Sequence, residues 1–260
     1  MTVPALGTVD FGGPHDAPLI VCGPSLGTSV SALWSTTAVQ LTRHYRVIGY
    51  DLPGHGCSPA PTSTFAISDI AAAVHAIATA HGSGRYHYAG VSAGGAVGLE
   101  LLLQHGDSLA STALICTGAK IRTTEAWLER AKSVRNKGTA IMRSAALSTW
   151  FANGFTDRDP DVAAALLASL RDTDAAGYAA VCEALAYFDV RDRLGDIDAN
   201  VTVICGRDDI ATPPHTMRDL AQHIPGARYV ELPDTAHLAP AEQPHLITKE
   251  LLASMQRSPL

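Results

Sequence analysis

The stretch from Tyr88 to Gly98 constrains this chain more than any other, because it joins a short apolar run to a glycine-rich segment that contains one serine. Gly90 lies two residues before Ser92, and Gly94 lies two residues after it. A sharp turn from a strand into a helix needs this spacing, since a Cβ atom at either glycine would collide with neighbouring backbone. The pattern therefore predicts a strained turn that exposes the Ser92 hydroxyl as a nucleophile.

The residues after Ser92 favour a helix that packs closely on a sheet, because small residues come first and leucines follow. If this helix begins at Ala93, its unpaired N–H groups and the positive end of its dipole lie beside the atom that Ser92 attacks. We therefore expect the Ala93 N–H to form half of an oxyanion hole. A glycine-rich turn without chemistry is the alternative that this stretch leaves open.

Composition excludes several classes of function. The chain has 260 residues, of which 47% are hydrophobic and 17% charged, as in an ordinary globular protein. Its net charge of -6 argues against nucleic acid or an anionic membrane as a partner, because nothing offsets phosphate charge. No apolar run reaches membrane-spanning length, and no cysteine or histidine spacing is typical of a metal site. We expect a small-molecule substrate, and the sequence indicates no oligomeric state.

The cysteines indicate a reducing compartment. They are five, an odd number, and Cys22, Cys116 and Cys205 lie inside apolar, strand-like runs. They are therefore interpreted as reduced core residues. The first residues show no basic region followed by an apolar stretch, so the expected location is the cytoplasm.

Strand-like and helix-like segments alternate over the first half of the chain. Apolar runs predict buried strands at residues 18–22, 45–50, 86–89 and 110–116, and helical spacing covers residues 31–41 and 67–80. A hairpin is expected within residues 1–16, ahead of a Gly-Gly-Pro turn signal. This alternation predicts an α/β fold with a mostly parallel, doubly wound sheet covered on both faces.

Two loops in this half contain polar residues of interest. The loop at residues 23–28 follows the first buried strand, so we assign the second oxyanion N–H to Leu26, with Ser25 beside it at the substrate. An ordinary connecting loop is the alternative. His55 lies between two glycines and is interpreted as an anchor of its loop rather than as a base.

The pattern changes between the two halves. Residues 120–195 show no convincing strand, and helical stretches follow one another at residues 124–135, 139–151, 160–170 and 175–188. This predicts a helical cap, residues 120–195, inserted into a core of residues 1–119 and 196–260. Its aromatic residues, among them Trp127 and Trp150, either roof an apolar pocket or pack between cap helices, and the sequence favours neither interpretation.

Two later strands end in loops with the residue types that a serine nucleophile needs. The strand at residues 201–205 leads to Asp208 and Asp209, and the strand at residues 228–232 leads to His237. A serine needs a base in contact with it, and that imidazole needs a carboxylate to fix its tautomer. We predict Asp209 and His237 as the partners of Ser92, with Asp208 as the alternative acid.

Over nearly its whole length the chain resembles the α/β-hydrolases, and it is most similar to the 3-oxoadipate enol-lactonases of aromatic-compound degradation. The acid loop and the Ser92 turn match the superfamily at large, whereas segments of the predicted cap favour the lactonases. The matching segments are residues 24–28, 50–51, 54–56, 127–130, 150–151, 154–155, 177–182, 208–214, 224–232 and 236–238, in addition to the Ser92 turn.

Departures from the lactonase pattern concern the substrate rather than the triad. The family commonly has arginines where this chain has Pro53 and Thr149, and a larger apolar residue at Ala93. The enol-lactone carries a free carboxylate, for which Arg130 and Arg143 are the cations that remain in the cap. Solvated helix charges are the alternative interpretation of both.

The resemblance implies a carboxylic ester hydrolase that forms an acyl-enzyme and needs no cofactor or metal. A carboxylesterase, or a lactonase for another ring, would use the same residues. A cofactor-free haloperoxidase or dioxygenase of this fold, or a ligand-binding protein with an idle triad, are further alternatives.

Overall fold

A twisted β-sheet forms the centre of the structure, a computed structural model that describes residues 2–81 and 84–257. Within these residues the sheet has seven strands: β1 (Thr8–Gly12), β2 (Leu19–Gly23), β3 (Arg46–Tyr50), β4 (Tyr86–Val91), β5 (Leu109–Ile115), β6 (Val201–Gly206) and β7 (Arg228–Leu232). Their order is β1-β3-β2-β4-β5-β6-β7, and all are parallel except β1, which runs antiparallel to β3.

The central strands are covered on both faces. Every residue of β2, β4, β5 and β6 is buried, although successive side chains of a strand point to opposite faces. Such strands are typical of parallel sheets with helices on either side, and their apolar runs explain why the sequence predicted them. The predicted mostly parallel, doubly wound sheet is confirmed.

The N-terminal hairpin prediction is wrong. Among residues 2–16 the structure contains one strand, β1, and its partner is β3, with Val9 opposite Gly49. The segment before β1 is bound elsewhere, since the Gly7 N–H donates to Ser58 Oγ at 2.8 Å. A long-range edge pairing therefore replaces the local one that the turn signal suggested.

The helices that connect the strands pack against the sheet and against each other. Outside the cap segment, the described helices are α1 (Val30–Leu41), α2 (Ile67–His81), α3 (Ala93–His105), α9 (Pro214–His223), α10 (Ala239–Glu242) and α11 (Pro244–Gln256). Helix α2 packs on α3, and α1 packs on α10 and α11.

Between β5 and β6 the described chain is helical. The helices are α4 (Thr124–Lys137), α5 (Arg143–Thr149), α6 (Phe155–Arg158), α7 (Pro160–Asp172) and α8 (Ala175–Tyr187), with 3₁₀ turns at Thr139–Met142 and Arg191–Asp196. We keep the name cap for residues 120–195. Its division from a core of residues 1–119 and 196–260 stays a prediction, and residues 1, 82, 83 and 258–260 lie outside the described residues.

The topology places the polar loops together. The loops after β2, β4, β6 and β7 leave the carboxyl ends of parallel strands, which meet at one edge of the sheet. Among the helices that the structure describes, none has the length and apolar character that crossing a membrane requires.

Candidate active site

Ser92 occupies the turn between β4 and α3 in a strained conformation. Its φ of 56° lies in the left-handed region that residues other than glycine rarely adopt. The turn is held by backbone bonds, because the Ser92 N–H donates to the Ile115 carbonyl at 2.9 Å and the Gly94 N–H donates to the Pro24 carbonyl at 3.0 Å. The Thr117 hydroxyl adds a bond to the Ser92 carbonyl at 2.7 Å.

The two glycines around Ser92 are required by close contacts. A Cβ atom on Gly90 would lie 2.3 Å from the Gly94 carbonyl oxygen. A Cβ atom on Gly94 would lie 2.8 Å from the carbonyl carbon of Gly23, in the strand next to β4. The spacing recognised in the sequence is therefore a packing requirement of the turn.

The loop after β2 forms a tight turn around Leu26. The Ser25 carbonyl accepts the Thr28 N–H at 3.1 Å, and Gly27 supplies the positive φ of 84° that a turn of this type needs at its third position. Among the described residues the Leu26 N–H has no acceptor. Ala93 begins α3, where a helix N–H has no acceptor within the helix. Both predicted oxyanion donors are thus available at one end of the sheet.

His237 and Asp209 form a buried pair. His237 Nδ1 lies 2.9 Å from Asp209 Oδ2, and the two residues are 5% and 1% exposed. The other acceptor sites of Asp209 are filled by the Ala211 N–H at 2.8 Å, the Thr212 N–H at 3.0 Å and the Thr212 hydroxyl at 2.6 Å. Because Thr212 also donates to Oδ2, this network assigns the Nδ1 proton to His237.

Asp209 is held in its charged form by these partners. Burial acts to raise the pKa of Asp209, but the nearby His237 and the Thr212 hydrogen bonds outweigh it and keep the pKa below its ordinary value. An ionised Asp209 is the form that stabilises a protonated imidazole.

Most of the predicted site residues line one cavity. They are Ser25, Leu26, Ser92, Trp127, Arg130, Trp150 and His237, with Ala93 next to Ser92 and Asp209 behind His237. In the described part of the chain, the Ser92 hydroxyl and the His237 imidazole share this cavity without a hydrogen bond between them. Catalytic hydrogen bonds are often long or poorly aligned before substrate binds, so the missing bond does not by itself exclude His237 as the base.

The cap aromatics divide between the two interpretations. Trp127, Trp150 and Tyr178 line the cavity, whereas Phe151 and Phe155 stack on each other with ring centroids 5.3 Å apart. Gly27 packs closely against the roof of the cavity. If it had a Cβ atom, that atom would lie 3.4 Å from Trp150 and 3.3 Å from Tyr178. The Leu26 turn and the roof of the cavity are thus in contact.

Two arginines of the cap line the cavity next to the Trp127 ring. The guanidinium carbon of Arg130 lies 5.0 Å from the Trp127 ring centroid, and that of Arg122 lies 5.9 Å from it. Within the described residues neither arginine has a carboxylate partner within 4.0 Å. Burial, and then the neighbouring Arg130 charge, lower the pKa of Arg122. The cavity therefore holds unneutralised positive charge.

The sequence interpretation missed Arg122 and included Arg143. Arg122 lies in the loop before α4, where helical or strand periodicity gives no signal. Arg143 is exposed and lies away from the cavity, beside Leu167 and Arg171. Which arginine lines the cavity depends on how the cap folds, and the spacing of charged residues along the chain does not predict it.

His55 has the surroundings of a loop anchor. It is fully buried, its Nδ1 lies 3.0 Å from the Pro53 carbonyl, and its ring stacks on Tyr178 at 6.0 Å. Burial lowers the pKa of His55 to about 4. In the described residues, no group of three or more His, Cys, Asp or Glu side chains is arranged to hold a metal ion.

Comparisons with known proteins agree with this architecture. The chain is 33% identical to 3-oxoadipate enol-lactonase 1 of Acinetobacter baylyi over 91% of its own length and 88% of that protein. It is 32% identical to 3-oxoadipate enol-lactonase 2 of the same organism over 94% of this chain and 91% of that protein. The crystal structure of the enol-lactonase from Burkholderia xenovorans LB400 superimposes with a TM-score of 0.91 at 35% identity, covering 96% of both chains.

The family match spans the Ser92 turn and the loops that contain Asp209 and His237. Residues 18–244 match the alpha/beta hydrolase fold, which is well over half of the chain. The family match and the enol-lactonase relatives above together support a hydrolase. The chain belongs to the alpha/beta hydrolase fold family.

Proposed function

We propose that this protein is a serine hydrolase that opens a small lactone or ester through an acyl-enzyme, with 3-oxoadipate enol-lactone as its substrate. Ser92 is the nucleophile, His237 the general base and acid, and Asp209 the carboxylate that orients it. The Leu26 and Ala93 N–H groups hold the oxyanion. The enol-lactonase relatives support this substrate, because they match over nearly the whole chain.

One observation carries the proposal: a strained serine shares a cavity with a histidine that is bonded to a buried carboxylate. A hydroxyl is a poor nucleophile at neutral pH and needs a base to accept its proton as it attacks. Strain at a residue other than glycine costs free energy, so it persists where the surrounding structure enforces it, and such residues concentrate at functional sites.

In the first half-reaction, Ser92 Oγ attacks the lactone carbonyl while His237 Nε2 accepts the hydroxyl proton. The carbonyl oxygen becomes an oxyanion, which the N–H groups of Leu26 and Ala93 stabilise. The ring C–O bond then breaks, and His237 returns the proton to the departing enol oxygen. Because the substrate is a ring, the leaving group stays attached to the acyl chain.

In the second half-reaction, water attacks the acyl-enzyme with His237 again as the base. The C–O bond to Ser92 breaks and the serine recovers its proton, which releases the ring-opened acid. Ester cleavage by this route needs neither an electron sink nor a metal, because the oxyanion hole stabilises the negative charge that develops on the carbonyl oxygen.

The two arginines that have no carboxylate partner among the described residues support an acidic substrate. Arg122 and Arg130 lie next to Trp127 within the cavity, and guanidinium groups bind carboxylates through paired, charge-assisted hydrogen bonds. Thr149, which stands where the lactonase family commonly has an arginine, lines the same cavity. We infer that the substrate carboxylate binds to Arg122 and Arg130 instead.

Replacing Ser92 with alanine tests the mechanism. We expect S92A to fold as the wild type does and to lose measurable turnover of both enol-lactone and simple aryl esters. A fluorophosphonate probe should label the wild type and not the variant. Wild-type rates in a folded S92A protein would exclude this site and this reaction.

The substrate class is tested by charge. We expect R122Q and R130Q each to raise KM for the acidic lactone by about tenfold or more, since each removes a charged hydrogen-bond partner, while KM for a neutral aryl ester changes little. R143Q, outside the cavity, is the matched control. Equal effects on both substrates would argue against a carboxylate site and for the second candidate.

That second candidate is a carboxylesterase or another lactonase acting on uncharged substrates. Ile121, Met142 and Leu170 line part of the cavity with apolar side chains, and an apolar lining favours an uncharged substrate. Faster turnover of neutral esters than of acidic lactones would establish it. Halide-dependent bromination would instead indicate a haloperoxidase, and tight ligand binding without probe labelling would indicate a binding protein.

A further inference from the structure

Glu242 is a buried acid that the mechanism above does not use. It ends α10, five residues after His237, and is 3% exposed. A carboxylate is rarely placed in such surroundings unless hydrogen bonds satisfy it, because removing its charge from water is costly. Its partners therefore show what the structure gains from it.

The two oxygens of Glu242 bind two different parts of the molecule. Oε2 accepts the backbone N–H of Ala152, in the cap, at 2.7 Å. Oε1 accepts the backbone N–H of Ala236, the residue before His237, at 3.0 Å. One side chain thus joins the loop of the proposed base to the cap, 90 residues away in sequence.

Further bonds make the same connection. The N–H groups of His237 and Leu238 donate to the Trp150 carbonyl at 3.2 Å and 3.3 Å. Trp150 and His237 line the cavity together, so these bonds fix the roof to the backbone that carries the imidazole. Arg158, from α6 of the cap, donates to the Glu242 backbone carbonyl at 3.2 Å.

We propose that Glu242 is a positioning residue for catalysis, whose carboxylate holds the His237 loop and the Trp150–Ala152 segment of the cap in one arrangement. It touches no reacting atom. It acts by fixing where the imidazole stands relative to Ser92, and proton transfer is sensitive to displacements of less than an ångström. This inference rests on the proposed function of His237.

The charge state of Glu242 bears on this role. Burial raises the pKa of Glu242 to about 7. Hydrogen bonds and charge act in the opposite direction but are weaker, and they come from the N–H groups of Ala152, Ala236 and Leu238 and from the nearby His237. The other polar groups that face it are the Cys116 thiol from the end of β5 and Arg158 from α6. The carboxylate accepts both N–H bonds, whereas the protonated acid turns one oxygen into a donor. Protonation therefore weakens the connection.

Glutamine at position 242 is the diagnostic change, because it keeps the shape and removes the second acceptor. Its NH₂ group would face the N–H of either Ala152 or Ala236. We expect kcat for a neutral aryl ester to fall about tenfold to a hundredfold in E242Q, with KM changed far less. The matched control is E231Q, because Glu231 is a partly buried carboxylate bonded to the side chains of Arg218 and Tyr229.

The pH profile separates positioning from mere stability. Wild-type kcat should show a loss on the acid side of its pH profile that comes from protonation of Glu242, and E242Q should lack that loss. E242D keeps the carboxylate but is shorter by one methylene, so we expect an intermediate kcat and an acid-side loss like that of the wild type. E231Q should follow the wild type throughout.

A second readout does not depend on turnover. The His237 Nδ1 proton, shared with Asp209, should give a low-field proton NMR signal that shifts or broadens in E242Q and stays in place in E231Q. A folded E242Q protein with an unchanged signal and the wild-type pH profile would overturn the proposal. If E242Q does not fold, E242D decides instead, because a wild-type kcat and an unchanged signal in that variant would overturn the proposal. Because the signal is also measurable in S92A, failure of the proposed hydrolysis and failure of this inference are distinguishable.

Discussion

Asp208 and Asp209 are consecutive carboxylates, but only one of them is in a position to support a histidine. Asp208 is exposed to solvent, while Asp209 is 1% exposed and bonded to His237. The Thr212 N–H donates to Oδ1 of Asp209, and the Thr212 hydroxyl donates to Oδ2, the oxygen that also faces His237. The proposed role therefore belongs to Asp209, and its neighbour provides a built-in control.

We expect D209N to lower kcat by about 10⁴-fold, because the amide would hold His237 in the wrong tautomer and would not stabilise its charged form. Steady-state kinetics on an aryl ester measure this effect. D208N, one residue away and in solvent, should stay within about twofold of the wild type, since isolated surface charges contribute little. Comparable losses in the two variants would contradict the assignment of Asp209.

Asp209 and Glu242 are both buried, yet their pKa values move in opposite directions. Burial raises the pKa of both, but Asp209 accepts three hydrogen bonds from Ala211 and Thr212 and lies against His237. Glu242 has backbone N–H partners and a more distant His237, so burial prevails and its pKa is about 7. The number and charge of the partners, rather than burial itself, decide which acid stays ionised.

At the scale of elements, the approach of β2 to α3 decides the geometry of the Ser92 turn. The two elements meet at Gly23 and Gly94 without any side chain between them. Beneath this contact, the Tyr88 hydroxyl donates to the Gly94 carbonyl at 2.6 Å and lies 2.8 Å from the Tyr50 hydroxyl. The hydroxyls of Tyr88 and Tyr50 therefore support the turn from below, and there is no room for a methyl group on Gly94.

We expect G94A to cost about 1–3 kcal/mol of unfolding free energy and to reduce activity, because its Cβ atom would overlap backbone that cannot move independently. Chemical denaturation measures the difference. The matched control is G106A, just past the C-terminal end of the same helix, where an added Cβ atom meets nothing within 4 Å. G106A should stay within about 0.5 kcal/mol of the wild type.

The cap helices show where periodicity alone fails. The predicted helix at residues 139–151 is divided into a 3₁₀ turn, Thr139–Met142, and α5, Arg143–Thr149. The Thr139 hydroxyl donates to the Arg171 carbonyl at 3.1 Å, at the end of α7. This bond fixes the first turn against α7, so tertiary contact sets the local geometry.

At the scale of the whole molecule, buried groups with opposite pKa shifts determine how stability depends on pH. Burial lowers the pKa of His55 and of His87 to about 4, so the fold favours their neutral forms. Their contribution is complete above the ordinary histidine pKa of about 6.5 and is lost as pH falls towards about 4. Glu242 acts in the opposite sense, since its raised pKa favours the fold at low pH and that contribution is lost as pH rises to about 7.

The contributions of the two histidines to the unfolding free energy together exceed the opposite contribution of Glu242. Each shift corresponds to about 3 kcal/mol, so we expect the unfolding free energy to fall by a few kcal/mol between about pH 6.5 and pH 4. Urea denaturation at several pH values measures this slope. H87Q should flatten it, because the buried imidazole bonded to Ser111 is removed, and H44Q, at an exposed histidine, should not. A slope that H87Q leaves unchanged would contradict this account.

Much of the architecture could be predicted from the sequence. Strands β2, β4, β5 and β6 are continuous apolar runs, and that pattern needs no knowledge of distant contacts. The resemblance to α/β-hydrolases is confirmed by the family match. The loops with Ser92, Asp209 and His237 were predicted from their places after strands, and the catalytic role of these residues stays a prediction.

The sequence by itself determined strands β2 to β7, most helix positions and the glycine spacing of the Ser92 turn, because backbone propensity and apolar periodicity are local properties. Only the tertiary structure decided that Arg122 faces the cavity, that Arg143 does not, and that Glu242 binds the cap. Those facts depend on contacts between distant segments, such as the 90 residues that separate Glu242 from Ala152. A single charged residue in a loop has no period, so its neighbours are fixed only when the whole chain has packed.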